Sequence, residues 1–269
     1  MKTFVISLKR AVERRQFMIE QMNRLGLDYE IFDAIDCKEV TENDISRYRS
    51  DSPYWQTASI GIVCATLSHY LVFKKIVEQG LEYALVLEDD ALLPKNIKNI
   101  LAELEKVIKK DEIILLYYAG FKVLKLSLVG VETIKSGKLL FPVNIEDVGS
   151  AAAYIVHKNV AMNLIRINMP FKGMTDSWGI FYNNGGFDSC RCLYPPPIKP
   201  KNFKSSIDYI DPKSMIGKIV NMVNKHKIPV LFQLLALRRA LFQKSLRRYK
   251  LVNEPSPIYT RLTSGKSTH

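Results

Sequence analysis

The chain has 269 residues, of which 47% are hydrophobic and 25% charged, and its formal net charge is +12. This apolar fraction suffices for a buried core and excludes an intrinsically disordered chain. The four cysteines form no C-x-x-C pair, so neither a disulfide framework nor a zinc site is expected. The N-terminus lacks the apolar core of a signal peptide, and no unbroken apolar run reaches the roughly 20 residues that span a bilayer. We therefore expect a cytoplasmic protein.

The positive charge is concentrated near the C-terminus. Residues 1–198 hold 24 basic and 24 acidic residues, whereas residues 199–250 hold 13 basic and 2 acidic residues. Three consecutive prolines, 195–197, close the neutral part of the chain. We predict a catalytic body over residues 1–198 and a basic, amphipathic helical tail over residues 199–269.

The first third of the chain alternates strand and helix patterns. Glycines 26 and 80 follow the two helical patterns at the positions where helices end. The predicted elements are, in order, a strand at residues 4–8, a helix at 12–25, a strand at 29–34, a polar loop at 38–56 and a helix at 60–79.

An unbroken apolar run at residues 83–87 predicts a strand that is buried on both faces. The elements predicted after it are a helix from Pro94 to residue 108, a strand at 112–118, two weaker strands up to residue 141, a strand at 151–156 and a helix at 159–167. Such alternation is typical of an α/β fold with a mostly parallel central sheet and helices on both faces.

The buried strand runs directly into three carboxylates, Glu88, Asp89 and Asp90. Consecutive carboxylates repel one another, and their oxygens suit a hard cation such as Mg²⁺ or Mn²⁺. In open α/β sheets, ligands bind at the carboxyl ends of the strands. The pattern favours a divalent-metal site, and the alternative is an acidic turn exposed to solvent.

Four blocks of residues, taken together, resemble glycosyltransferase family 25, which builds lipopolysaccharide and lipooligosaccharide. The blocks are residues 4–8 with 13–15, residues 32–36, residues 61–69 followed by 84–90, and residues 151–154 with a downstream Asp176. Two positions depart from the family pattern: Ile62 stands where a glutamate is usual, and Cys64 where a second glycine is usual. The proline expected before Asp176 is also absent.

The resemblance implies a GT-A fold, a nucleotide-sugar donor (usually a UDP-sugar), a divalent Mn²⁺ or Mg²⁺ ion, and inversion at the anomeric carbon. It also implies that Asp90 ligates the metal together with Glu88. Three arginines near the first strand have the planar fork that suits donor phosphate oxygens, or they are solvated surface residues. The full set expected at the donor is Ser7, Leu8, Arg10, Arg14, Arg15, Asp36, Ser68, His69, Glu88 and Asp89.

An inverting transferase needs a carboxylate that takes the proton of the acceptor hydroxyl, and Asp176 is the candidate general base. Asp188 is an alternative base, and Asp176 has an alternative role as the N-cap of a helix at residues 177–182. Three aromatic residues are candidates either for sugar stacking or for the core: Trp178, Tyr182 and Phe187.

The leading hypothesis is a metal-dependent, inverting hexosyltransferase that moves galactose from UDP-galactose to lipooligosaccharide or a related surface glycan. The basic residues 199–250 predict attachment to an anionic membrane, which places the enzyme peripherally on the inner face of the cytoplasmic membrane. Packing of this segment on the body or on another subunit is an alternative, and its apolar content disfavours nucleic-acid binding. The alternative function is that of a catalytically inactive GT-A-like protein that binds membrane or nucleic acid through its tail.

Overall fold

The computed structural model describes residues 1–120, 122–201, 203 and 248–264, together with five isolated positions between 222 and 235. Its main feature is a nine-stranded sheet. The strands of this sheet are β1 (Lys2–Ser7), β2 (Tyr29–Asp33), β3 (Tyr83–Glu88), β5 (Glu112–Leu115), β6 (Leu124–Ile134), β7 (Gly137–Pro142), β8 (Ala153–His157), β9 (Ser189–Tyr194) and β11 (Tyr249–Val252). Two short strands, β4 (Ala91–Leu92) and β10 (Lys199–Pro200), form a separate antiparallel pair.

The helices of the described residues cover both faces of this sheet. They are α1 (Val12–Leu25), α2 (Glu42–Ile45), α3 (Pro53–Thr57), α4 (Ile60–Glu78), α5 (Ile97–Leu104), α6 (Lys158–Ile167), α7 (Trp178–Asn183) and α8 (Pro257–Ser264). Gly26 ends α1 in the left-handed conformation with φ of 59°, as predicted. The helix predicted from Pro94 begins instead at Ile97, with Asn96 at its N-cap position.

The strand order is β11-β6-β7-β9-β5-β8-β3-β1-β2. β1 pairs in parallel with β2 and with β3, so these three strands end at one edge of the sheet, which we call the carboxyl edge. β8 runs antiparallel to both β3 and β5, and it therefore begins at the carboxyl edge, where β5 ends. The predicted α/β class with a large central sheet and flanking helices is confirmed. Among the described strands of this sheet, four pairings are parallel and four are antiparallel.

Two layers of apolar side chains hold the helices on the sheet. Successive residues of a strand point to opposite faces, and accordingly Phe4 and Val5 of β1 belong to different layers. On one face, α4 and α6 pack on the sheet, and on the other face α1 and α5 do so. The core strands are therefore buried on both sides, which explains their unbroken apolar sequences.

Among the described residues, one helix is long and apolar enough to cross a membrane by length and composition, namely α4. Half of its apolar window is buried within the fold, and the helix contacts β1 and α6. The apolar side chains of α4 thus pack in the core of this structure.

The loop that follows β2 has a small core of its own at the carboxyl edge. Trp55 of α3 is fully buried there beside Phe171, with 5.5 Å between ring centroids. The backbone amide of Phe171 donates a 2.7 Å hydrogen bond to the carbonyl of Tyr48. These contacts fix the loop predicted over residues 38–56, with its short helical turns, against the segment that leads to Asp176.

The C-terminal part of the chain returns to the body. β11 pairs in parallel with β6, and Ile258 of α8 is buried in the main core. Lys199–Pro200 also pairs with β4. The predicted tail of residues 199–269 is therefore not one separate helical appendage, because its two ends belong to the body. Of the helical tail predicted here, residues 204–221 and most of residues 222–247 lie outside the described residues; the five isolated positions among them are helical, and Tyr249 is in a strand.

Candidate functional site

The three predicted acidic residues lie at the carboxyl edge, at the end of β3. The backbone amide of Glu88 donates a 2.9 Å hydrogen bond to the carbonyl of Ala152, which precedes β8. The carbonyl of Asp90 accepts a 2.7 Å hydrogen bond from the amide of Lys201. The acidic turn is thus held between β8 and the segment that follows β10, rather than projecting into solvent.

Asp89 is the most buried of the three acids, and its contacts are with residues of the fold. Its carboxylate accepts a 2.7 Å hydrogen bond from the hydroxyl of Ser7 and lies 2.5 Å from a guanidinium nitrogen of Arg14. Burial raises the pKa of Asp89, although the charge of Arg14 and the Ser7 hydrogen bond lower it. Asp89 and Ser7 were predicted to contact the donor. In this structure both side chains are buried and bound to each other, so they hold the acidic turn in place; a donor contact through the backbone of Ser7 stays a prediction, as does that of Asp89.

Asp90 has the properties expected of a carboxylate that binds a cation. One of its oxygens, Oδ2, lies 3.3 Å from Arg14, while Oδ1 is buried and accepts no hydrogen bond from the described residues. Burial, and then the nearby charge of Glu88, raises the pKa of Asp90 to about 7. An unpartnered carboxylate oxygen buried beside other acids costs free energy unless a proton or a cation joins it.

The described residues contain no group of three or more His, Cys, Asp or Glu side chains arranged to hold a metal ion. Mg²⁺-like ions in nucleotide sites are commonly held by one or two carboxylates, with substrate phosphates and water as the other ligands. Asp90 and the partly exposed Glu88 fit such a site, because Asp90 offers the unpartnered oxygen Oδ1.

His69 supports the acidic turn from beneath. Its Nδ1 forms a 2.9 Å hydrogen bond with the hydroxyl of Tyr154, and its Nε2 lies 3.7 Å from Glu88. His69 and Tyr154 are both buried, and their rings stack with a centroid distance of 6.0 Å. His69 therefore lies close to Glu88 and has little surface for a donor contact. Tyr154 was part of a sequence block, but no role for its hydroxyl was predicted.

The three arginines near β1 differ in what they contact. Arg14 holds the acids, as described, whereas Arg10 donates from Nε to Asp36 over 2.5 Å. The side chain of Arg10 remains 38% exposed, so part of its guanidinium is open to a ligand. This pair raises the pKa of Arg10, and Arg10 lowers the pKa of Asp36 against the effect of its burial.

Arg15 and Ser68 are structural in this arrangement. Arg15 donates to the carbonyl of Ser7 over 3.0 Å and to Asp33 over 2.5 Å, which ties α1 to the ends of β1 and β2. Ser68 is buried, accepts a hydrogen bond from the amide of Ile35 and donates one to a carbonyl within α4. Their predicted donor contacts stay predictions, since both side chains are already engaged within the fold. Leu8 is partly buried directly after β1, beside the acids, and keeps its predicted place.

Asp176 lies at the carboxyl edge, as a general base requires. Its Oδ2 accepts a 2.8 Å hydrogen bond from the amide of Ser150, and no described residue hydrogen bonds its Oδ1. Ser150 has φ of 80°, which is uncommon for a residue other than glycine, and its carbonyl accepts a bond from the indole of Trp178. Ser150, which bonds Asp176, stands two residues before Ala152, which bonds Glu88. These two contacts are therefore joined by at most about 7 Å of chain.

The structure contradicts the N-cap role of Asp176 and places the alternative base, Asp188, away from the acids. The N-cap position of α7 belongs to Ser177, so Asp176 does not cap that helix. Asp188 precedes β9, which is parallel to β5, and its amide bonds Asp111, so it lies at the edge opposite the acids. The aromatics proposed for stacking are core residues, with Trp178 fully buried. The exposed aromatic near Asp176 is Tyr54, which no motif indicated.

Comparison with known proteins identifies one family model and several relatives that match this chain. The model of glycosyltransferase family 25 (LPS biosynthesis protein) matches residues 1–178. The lipooligosaccharide biosynthesis protein lic2B of Haemophilus influenzae is 27% identical over 60% of this chain and 61% of its own length. The lacto-N-neotetraose biosynthesis glycosyltransferase LgtB of Neisseria meningitidis serogroup B is 33% identical over 38% of each chain.

A third relative is named as inactive. It is the inactive glycosyltransferase 25 family member 3 of Homo sapiens, which is 30% identical over 42% of this chain and 20% of its own length. The chain thus matches less than two thirds of the length of each of these three proteins.

Proposed function

Since the chain belongs to glycosyltransferase family 25, as the match over residues 1–178 shows, we propose that it transfers a hexose from a nucleotide sugar to a saccharide, with inversion. The observation that carries this proposal is the placement of two carboxylates at one edge of the sheet. Asp90 there has a buried oxygen without a partner, and Asp176 has one oxygen that no described residue engages. Asp90 suits the donor side of the reaction, and Asp176 suits the acceptor side.

On the donor side, the proposal assigns Asp90 and Glu88 to a divalent ion, Mn²⁺ or Mg²⁺. When bound, this ion supplies Lewis-acid stabilisation of the diphosphate leaving group. Arg14 holds Asp89 and Asp90 and keeps the acidic turn in place. The partly exposed guanidinium of Arg10 is the group we assign to a donor phosphate, where its planar fork can make two hydrogen bonds.

On the acceptor side, the proposal assigns proton transfer to Asp176. The acceptor hydroxyl gives its proton to the free Oδ1, and its oxygen bonds to the anomeric carbon from the face opposite the diphosphate. The bond from that carbon to the diphosphate breaks, and its electron pair leaves with the nucleotide. The hydrogen bond from Ser150 holds Oδ2, which orients Oδ1 for this step.

The finer assignments rest on the family and on composition. We propose UDP-galactose as the donor and lipooligosaccharide or a similar surface glycan as the acceptor. The similarity to lic2B, which is named a lipooligosaccharide biosynthesis protein, supports this acceptor class. The charge of residues 199–250 supports a peripheral position on the inner membrane face. Binding of the full chain to anionic liposomes, and its release by salt, tests that position.

The test of the function uses three matched aspartate-to-asparagine variants and the release of UDP from UDP-galactose, with and without Mn²⁺. Asp176→Asn should lower transfer to a saccharide by roughly 10²–10⁴-fold, since it removes the base. Asp90→Asn should lose the response to Mn²⁺. Asp188→Asn, at the opposite edge, should stay within a few-fold of the wild type. Equal activity of all three variants would refute the proposal.

A second candidate function is sugar-nucleotide binding without transfer. It is favoured by the relative named as inactive and by the contacts of Arg14 to both Asp89 and Asp90, which already compensate part of the acidic charge. A panel of nucleotide sugars separates the two functions. Stabilisation by UDP-sugars without any turnover of the wild type, with or without Mn²⁺, would favour the binding protein.

A further inference from the structure

Tyr54 is an exposed aromatic side chain beside the proposed base. It lies on α3, at the carboxyl edge, and its side chain is 45% exposed. Single exposed aromatics are common on protein surfaces and carry no meaning by themselves. The surroundings of Tyr54 are unusual, because it is held rigidly and faces the turn that carries Asp176.

The rigidity of α3 comes from its neighbours in sequence. Ser52 caps the helix by accepting a bond from the amide of Trp55, whose side chain is fully buried. Arg49 donates to the carbonyls of Trp55 and Ala58 over 2.5 and 2.8 Å. Both ends of the short helix are therefore anchored, and the ring of Tyr54 stands against that of Trp55 at 5.5 Å.

The contact of Tyr54 with the Asp176 turn is direct. The phenol hydroxyl lies 2.5 Å from the sulfur of Met174. Met174 and Ser177 close the turn around Asp176, because the amide of Met174 bonds the Ser177 hydroxyl and the amide of Ser177 bonds the Met174 carbonyl. Burial raises the pKa of Tyr54, and the nearby negative charge of Asp176 raises it further.

We propose that Tyr54 and the turn of residues 174–177 form the subsite for the acceptor sugar, with the pyranose ring stacked on the Tyr54 face. This assignment rests on the proposed function. A pyranose presents one face of C–H groups, which suits an aromatic face, and its hydroxyls lie at the ring edge. Stacked on Tyr54, the ring places an edge hydroxyl towards Asp176, where the proton is removed.

This subsite gives Tyr54 a role in recognition and none in the chemistry. Removing the ring should therefore weaken acceptor binding and leave the donor side unchanged. Its hydroxyl already contacts Met174, so the ring rather than the hydroxyl is the part that the acceptor uses. The expected loss is about tenfold in acceptor KM, which corresponds to the contribution of one aromatic contact.

The experiment measures transfer from UDP-galactose to methyl glucoside, methyl galactoside and methyl heptoside, with the best of these used for kinetics. Tyr54→Ala should raise the acceptor KM about tenfold while the donor KM and the Mn²⁺ response stay unchanged. Tyr54→Phe, which keeps the ring, should stay within about threefold of the wild type. Tyr29→Ala is the control, because Tyr29 begins β2 at the opposite edge.

Each result bears on the subsite separately from the proposed function. An unchanged acceptor KM in Tyr54→Ala, with Asp176→Asn inactive, would overturn the subsite and leave the transferase intact. A wild type that cleaves the donor but uses none of the three glycosides would overturn the pyranose assignment. If Asp176→Asn and Asp90→Asn both keep full activity, the proposed function itself fails. Circular dichroism of each variant excludes loss of folding as the cause.

Discussion

Replacing Asp90 with asparagine should stabilise the metal-free protein at alkaline pH. The pKa of Asp90 is raised to about 7 by burial and by Glu88, about three units above that of an aspartate in an unfolded chain. At 1.36 kcal/mol per unit, ionising this carboxylate costs the folded state about 4 kcal/mol. Asparagine has similar shape and carries no charge, so Asp90→Asn escapes this cost.

The pH dependence follows from the direction of the shift. Because the folded-state pKa is raised, the stabilising effect of the proton is complete below about pH 4 and is lost as the pH rises through about 7. Integration over the two pKa values gives a penalty of about 1–2 kcal/mol at pH 5 and about 4 kcal/mol at pH 8. The advantage of Asp90→Asn over the wild type should therefore grow by about 2–3 kcal/mol between these pH values.

The assay is urea unfolding in EDTA at pH 5 and pH 8, with Asp188→Asn as the control for removal of one charge. Asp188 is exposed, so its substitution should change little at either pH. Adding Mn²⁺ at pH 8 should then stabilise the wild type more than Asp90→Asn, because a bound ion replaces the proton. A difference between Asp90→Asn and the wild type that is equal at both pH values would refute the view that burial and Glu88 raise the pKa of Asp90.

Three further substitutions test buried contacts of the fold, one beside the acids, one at the opposite edge of the sheet and one at α3. Tyr154→Phe removes the hydroxyl that bonds buried His69 and should destabilise the protein by about 1–3 kcal/mol in urea unfolding, whereas a loss below about 0.5 kcal/mol would show that this bond is not needed. Arg191→Met leaves the buried Glu112 without its bidentate partner and should cost about 3–5 kcal/mol, a result that a neutral outcome would contradict. Arg49→Met releases the carbonyl of Trp55, in the middle of α3, and that of Ala58, at its C-cap, and should speed amide hydrogen exchange in α3 while exchange in β3 stays slow. Uniform acceleration of exchange would contradict this local role.

Strand and helix positions could be predicted because they depend on local patterns. The run that forms β3 is apolar at every position, since both faces are covered, and Gly26 ends α1 because glycine accepts the left-handed conformation. The acids follow β3 without interruption, so their place at the edge of the sheet also followed from the sequence. The boundaries that failed lie where tertiary contacts decide, as at the helix that begins at Ile97 instead of Pro94.

The division of roles among the predicted site residues could not be predicted. Asp89 and Asp90 are adjacent in sequence, but Ser7 bonds only the first, and this depends on the pairing of β1 with β3. The choice between Asp176 and Asp188 likewise depends on strand direction, since β9 begins at the edge away from the acids. No pattern in the sequence states which of two carboxylates reaches the site.

The sequence by itself determined the α/β class, the acidic turn and the family, because each of these can be recognised from short blocks of neighbouring residues. The tertiary structure alone decided that the chain returns after residue 248 to pair with β6, and that α3 brings Tyr54 to the Asp176 turn. Both contacts join residues more than 100 positions apart, and Tyr54 belongs to no motif. Long-range contacts of this kind depend on how whole elements pack, which no local pattern of residue types records.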